Sequence, residues 1–235
     1  NGYVADDRTN ESVARTLEFA LSDYCIAQMA KALGKTADYE DLMRRAKNYR
    51  YLYNPKTKLF QARNADGSWA GEHSGFTEGA NWTYQFCVMQ DVQGLIDLMG
   101  GNESFAAALD NVFDNGHYRH DNEPGHHYVY LYNYCGRFDK AQERIPEILE
   151  THYRNGADGL SGNDDCGQMS AWYLFSSLGF YPVTPASGEY ALGIPRFPSA
   201  RVELPHGKVL TVRAEGLKEH RHLPVILFNG KKLDG

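Results

Sequence analysis

Three stretches of the chain concentrate side chains able to do acid–base or ligand chemistry, each where a loop runs into a helical pattern. In the first, Thr77 to Gln85, the residues Glu78, Asn81, Trp82 and Gln85 are spaced i, i+3, i+4 and i+7 and so would share one helix face. That face would hold a carboxylate, two amides and an indole. A helix cap with a buried Asn and a core Trp is the alternative. The second stretch, Asp121-Asn122-Glu123-Pro124-Gly125-His126-His127, puts a proline near a helix start and leaves Asn122 and Glu123 just outside it. Oxygens there can bind a cation or sugar hydroxyls. Adjacent histidines on a helix point about 100 degrees apart, so a zinc site would need partners from elsewhere, and packing or hydrogen bonding is the other reading. The third, Gly162-Asn163-Asp164-Asp165-Cys166-Gly167-Gln168, hems two adjacent carboxylates with glycine before an apolar helix. Neighbouring anions repel, so they need compensation if desolvated. Such a pair can cap the helix or supply a base that activates water.

Separated acids on different helices are what glycoside hydrolysis needs: one protonates the leaving oxygen and another works at the anomeric carbon. A separation of about 6.5 to 9.5 Å would imply inversion, and one near 5 Å retention. The dinucleotide, phosphate-loop, His-Glu-x-x-His zinc and Gly-x-Ser-x-Gly signatures are all missing. A cysteine hydrolase built on Cys166 and His126 is disfavoured because Asp165 beside Cys166 would raise the thiol pKa.

The elements that must position these residues read as helices over most of the chain. Apolar periodicity predicts helices over 11–33 and 38–53, then a long loop over 54–77. Helical pattern resumes over 81–98, 105–113, 126–134, 140–153 and 168–178, stopped repeatedly by glycine. After Pro182 short strand-like runs follow at 190–194, 201–204, 209–212 and 223–228, with Asn229-Gly230 as a hairpin turn near a C-terminus that reads as truncated. Helix pairs joined by long loops suggest a toroid rather than a four-helix bundle, whose loops are usually short. The expected fold class is therefore mainly α, a partial toroid of helix hairpins over 1–182, followed by a small antiparallel β-rich segment over 183–235.

Composition narrows the function classes. With Lys and Arg at 24 against 30 for Asp and Glu, the net charge is -6, which argues against nucleic-acid binding. No apolar run approaches a bilayer span, and Asn1-Gly2-Tyr3 is not the start of a signal peptide. Cys25, Cys87, Cys135 and Cys166 lack the short pairs of a zinc site; buried free thiols are the expectation, with a disulfide as alternative. The 16 Tyr, 11 Phe and 3 Trp, many beside amides and carboxylates, suit clefts that bind sugars, whose rings have an apolar face and a hydroxyl rim.

Across residues 11–34, 78–101, 121–136 and 162–190 the sequence closely resembles the C-terminal catalytic part of glycoside hydrolase family 92, the calcium-dependent exo-α-mannosidases. The resemblance implies an (α/α)6 toroid preceded by an N-terminal β-sandwich absent from this chain. It further implies inverting hydrolysis of terminal α-linked mannose, of α-1,2 or related linkages in N-glycans or mannan. Glu78 then corresponds to the general acid and Asp165 to the base. Some members carry two acids flanking one residue at the base site; here the earlier position is Asn163, which favours Asp165 and leaves the role of Asp164 open. A glutamine at the acid position goes with phosphate-linked mannose, so Glu78 points to ordinary mannosides. By the same resemblance Asn81, Glu123 and Asp165 are candidate ligands of Ca2+, while Trp82, Asn122, His126, His127, Asn163 and Asp164 are candidates for substrate binding. The implied partner is a mannose-containing glycan, and the implied location is periplasmic, secreted or cell-surface. A noncatalytic carbohydrate-binding fragment and another toroid glycosidase are the alternatives.

Overall fold

The computed structural model describes residues 1–217 and 225–233. The chain divides into two compact units: residues 1–119 with 184–189, and residues 120–183 with 190–235. In the first unit, helix α1 (Ser12–Ala32) and helix α2 (Thr36–Arg45) form a hairpin. Leu33 and Gly34 end α1, with Gly34 in the left-handed region open to glycine. Val13, Leu17, Ala20 and Ala27 line the buried side of α1, whereas Phe19, Ile26, Met29 and Leu33 are exposed, so the helix is apolar on more than one face. The helix expected over 38–53 instead breaks at Ala46, and the chain continues as a 3-10 turn over Asn48–Leu52. Tyr49 and Leu52 from that turn are fully buried, and Tyr49 donates to Asp91 Oδ2 at 2.7 Å.

The expected long loop holds a minimal hairpin, β1 (Tyr53–Asn54) with β2 (Leu59–Phe60), which buries Phe60 edge-on to Tyr49 and Tyr53. Residues 81–98 do not form one helix. A single turn, α3 (Asn81–Tyr84), is followed by an irregular stretch in which Phe86 and Val88 are buried, and then by α4 (Val92–Leu98). Val88 leaves helical geometry at φ -134, ψ 57, and Asp91 accepts the Gly94 N–H to cap α4 afresh. Helix α5 (Asn102–Asp114) completes the unit, with Phe105 meeting Phe86 edge-on at 5.1 Å.

In the second unit, the helix expected over 126–134 is a 3-10 run over Tyr128–Cys135, packed against helix α6 (Phe138–Thr151). Tyr128, Tyr130 and Tyr132 are fully buried there. A phenol can fill a core only if its hydroxyl is satisfied, and Tyr130 donates to Ser176 Oγ at 2.8 Å. Helix α7 (Gln168–Leu178) matches its expected span and ends at Gly179.

Strands β3 (Phe180–Tyr181) and β4 (Ala191–Leu192) pair antiparallel, as do β5 (Ser199–Glu203) and β6 (Val209–Arg213). Strands β7 (Leu227–Phe228) and β8 (Lys231–Lys232) close around Asn229-Gly230, both at positive φ, which gives the expected two-residue hairpin turn. Of the run expected over 223–228, residues 223 and 224 lie outside the described residues. The mainly helical chain with short antiparallel pairs has the fold class expected. All four cysteines are free, Cys87 and Cys135 buried and Cys166 exposed. Among the described residues no helix is long and apolar enough to cross a membrane.

Candidate active site

In the first unit the loop carrying Glu78 is tied to the start of α1. The Gly75 carbonyl accepts from the Val13 and Ala14 N–H groups at 2.9 and 3.0 Å, filling the place of a capping side chain. A Cβ on Gly75 would lie 2.6 Å from Ser12 Oγ, and its φ of +87 is left-handed, so only glycine lets the loop approach. Asp6 receives Ser12 Oγ at 2.7 Å and Ser74 Oγ at 2.6 Å, and Glu11 receives Thr77 Oγ1 at 2.8 Å. The Thr77 hydroxyl, then Arg15, hold the Glu11 carboxyl below its ordinary range.

Glu78 does not stand on a helix, contrary to the shared-face expectation. Its backbone is left-handed, φ 51, Ala80 is extended, and the helical turn starts only at Asn81. Tyr84 donates to the Thr77 carbonyl at 2.9 Å and holds this bend against α3. The Glu78 side chain is exposed and makes no hydrogen bond among the described residues. Asn81 is buried, and its Oδ1 accepts the Trp82 N–H at 2.9 Å. Trp82 is half-buried and stacks on His117 with ring centroids 4.5 Å apart, so one indole face is covered. Gln85 is buried, and its Oε1 has no partner among the described residues.

In the second unit the acid pair divides its work. Asp164 Oδ1 accepts the Ser170 N–H at 2.9 Å and its carbonyl accepts the Met169 N–H at 3.3 Å, so Asp164 caps α7. Asp165 is exposed, and its carboxylate makes no hydrogen bond among the described residues. Asp165, Cys166 and Gly167 follow one another at φ 45, 58 and 93. Two non-glycine residues in succession in the left-handed region cost of order 1–2 kcal/mol each, and the surrounding structure must hold them there. Asn163, just before the pair, is exposed.

Asn122 Oδ1 caps its own turn by accepting the Glu123 N–H at 3.1 Å, and Glu123 is half-buried beside it. His126 departs from the expectation of a substrate contact. It is 1% exposed; Nε2 meets the His120 carbonyl at 3.1 Å and Nδ1 meets the Gln168 amide at 3.2 Å, so neither ring nitrogen is left for a sugar. His127 is likewise buried, edge-on to Tyr128.

Sequence reasoning missed the groups around His126. His120 Nε2 lies 2.7 Å from the Tyr153 hydroxyl, Trp172 Nε1 donates to the His126 carbonyl at 2.8 Å, and Gln168 donates to Tyr181 at 3.1 Å. Burial, with His126 and His152 nearby, pushes His120 down to about 2, and burial lowers His126 as well. These residues are distant in sequence, and their one visible signal is the density of His, Tyr and Trp on either side of the acid pair.

Grooves open on each unit among the described residues. One of about 660 Å³ is lined by Tyr153, Arg154, Leu160, Ser170, Tyr173 and Arg196 among others, next to the α7 cap. The other, near Tyr3, Phe19 and Arg45, is remote from every candidate residue in sequence and includes none of them. Among the described residues no three His, Cys, Asp or Glu side chains stand together as a metal-holding group.

The whole chain, residues 1–235, matches the model of the glycosyl hydrolase family 92 catalytic domain. The chain belongs to glycosyl hydrolase family 92. A family 92 α-mannosidase from Bacteroides thetaiotaomicron is 43% identical at a TM-score of 0.94, covering 99% of this chain and 33% of that one. A family 92 inverting mannosidase from the same organism is 35% identical at a TM-score of 0.89, covering 99% of this chain and 36% of its own. An uncharacterized secreted glycosidase of Arthroderma benhamiae is 28% identical over 98% of this chain and 34% of its own. The chain thus spans about a third of the length of these relatives. Its mainly helical architecture is the (α/α)6 class of the family.

Proposed function

We propose that this chain carries the acid and base of an inverting exo-α-mannosidase. The observation that carries the reading is that Glu78 and Asp165, singled out by family resemblance, are both exposed carboxylates on left-handed backbone with no hydrogen bond among the described residues. Strain of that kind persists where the fold holds a side chain for a task. Glu78 as acid protonates the glycosidic oxygen as the bond to the anomeric carbon breaks. Asp165 as base takes a proton from the water that attacks the opposite face, releasing β-mannose. Trp82 brings an indole, stacked on His117, to the loop that bears Glu78 and is the candidate to meet the apolar face of the sugar. Asn122, Glu123 and Asn163 supply polar groups at the turns, while Asp164 and His126 support the turn instead of touching sugar. One relative is named an inverting mannosidase and another an α-mannosidase, which supports the substrate class.

Calcium fits in donor type. Asn81, Glu123 and Asp165 offer oxygens, the ligands calcium takes, and the orphaned Gln85 Oε1 is a further buried oxygen in want of a partner. Among the described residues no three His, Cys, Asp or Glu side chains stand together, and Asn81, Glu123 and Asp165 would hold the ion directly or through water. When bound, calcium would engage the 2- and 3-hydroxyls of mannose and help distort the ring. We further propose that residues 1–182 contribute to a catalytic toroid and 183–235 to a β-rich segment, that a β-sandwich accompanies them, and that the protein acts on extracellular mannose glycans. The secreted relative supports that location.

The test is NMR of the first-formed anomer from α-mannobioses, with and without chelator, on the natural-length protein. Release of β-mannose that chelation abolishes is expected; α-mannose as first product, or hydrolysis indifferent to chelator, contradicts the inverting or the calcium part respectively.

A further inference from the structure

We propose that His120, His126, Tyr153 and Gln168 form a positioning network that holds the turn bearing Asp165, acting on the reaction without touching substrate. The inference rests on the reading of Asp165 as the base. The hydrogen positions follow from the partners. Tyr153 has one hydroxyl hydrogen and directs it to the Met169 carbonyl at 3.1 Å, so at 2.7 Å it accepts from a His120 Nε2 that carries hydrogen. His126 Nε2 faces a carbonyl and must also carry its hydrogen, which leaves Nδ1 to accept from Gln168. Gln168 directs an amide hydrogen to Tyr181 as well, and Trp172 fixes the His126 carbonyl.

The mechanical link to the acid pair is direct. The Gln168 N–H donates to the Asp165 carbonyl and the Met169 N–H to the Asp164 carbonyl, both at 3.3 Å. The two residues that the network grips are therefore the two from which the backbone of the acid pair hangs. At the other end of the turn, a Cβ on Gly162 would lie 2.3 Å from the Asp121 carbonyl oxygen, so the chain there passes directly over the residue after His120. Between these two anchors runs the left-handed sequence Asp165, Cys166, Gly167. An unsupported turn of that kind relaxes; this one is hydrogen-bonded at one end to His126 through Gln168 and packed closely at the other against Asp121.

The experiment compares Gln168→Leu, Tyr153→Phe and Asp165→Asn in the natural-length protein, using an aryl α-mannoside with and without azide. Azide forms its bond to the anomeric carbon as the aryl oxygen leaves, and no proton need be removed from it, so it bypasses a missing or displaced base. For Gln168→Leu and Tyr153→Phe the expected result is kcat lower by about 10- to 100-fold, KM within about twofold, and partial recovery by azide with β-mannosyl azide as product. Folded variants with unchanged kcat, or with losses that azide does not recover, overturn the network's role. Tyr153→Phe removes a single oxygen and decides the matter if Gln168→Leu does not fold. Asp165→Asn isolates the underlying reading: if it keeps its rate, Asp165 is not the base, whatever the other variants do.

Discussion

At the scale of single residues, the two central carboxylates are set apart from nearby acids by their lack of a hydrogen-bond donor among the described residues, since Glu11 shares their left-handed backbone at φ 58. Glu78 and Asp165 make no side-chain hydrogen bond among the described residues, whereas Asp164, Asp6 and Glu11 are each committed to a nearby donor. Glu78→Gln should therefore lower kcat on alkyl α-mannosides by roughly 10²–10⁴-fold, with a much smaller loss on a dinitrophenyl mannoside, whose leaving group needs little protonation. Steady-state kinetics on the two substrates check this, and equal losses would remove Glu78 from the acid role. The neighbouring aspartates should separate cleanly. Asp164→Ala costs about 1 kcal/mol as a lost cap, read by denaturant melts. Asp165→Ala leaves stability near wild type and abolishes hydrolysis.

At the scale of elements, helix starts and turns carry the site. The periodicity of 81–98 matched a helix, yet the chain forms one turn and restarts at Asp91, because burying Phe86 and Val88 between the two pieces outweighs continuous helical hydrogen bonding. At its other end α3 starts only at Asn81, after an extended Ala80, which leaves Glu78 off any helix face. Helix α7 was fully legible, since Gly167 and Gly179 bracket an apolar run and the acid pair precedes it. The turn before α7 has little room. Gly162→Ala should destabilise the protein by about 1–3 kcal/mol, the usual range for overpacking, and displace residues 163–165. A drop in kcat alongside the lower melting temperature is expected; a variant with wild-type melting would show that the Asp121 segment gives way easily.

At the scale of the whole molecule, stability is coupled to pH through buried histidines. His120, and to a lesser extent His126, have folded pKa values depressed below the ordinary 6.5 by burial. The unfolded chain takes up their protons first, so their contribution is intact above about pH 6.5 and is lost as the pH falls, for His120 progressively toward about 2. Over that window His120 should lower stability by up to about 1.4 kcal/mol per pH unit, and His126 adds to the slope in the same direction. Urea melts from pH 7 to pH 5 measure the slope, and His120→Phe should flatten it; a slope unchanged in that variant would assign it elsewhere.

What the amino-acid sequence determined by itself was local and periodic. The span of α1 and α7, the Asn229-Gly230 hairpin, the mainly helical class and the family followed from spacing, glycine stops and long matching stretches, all of which act between near neighbours in the chain. Tertiary structure alone decided which polar groups are available. Asp164 caps, His126 is enclosed, and one face of Trp82 lies on His117. Each of those outcomes depends on a partner that nothing in the residue's own neighbourhood specifies: Tyr153 and Gln168 meet the His120–His126 segment across more than thirty residues of chain. Burial and hydrogen bonding are properties of the packed chain, and they divided residues that looked alike in sequence into those that support the turn and those free to act.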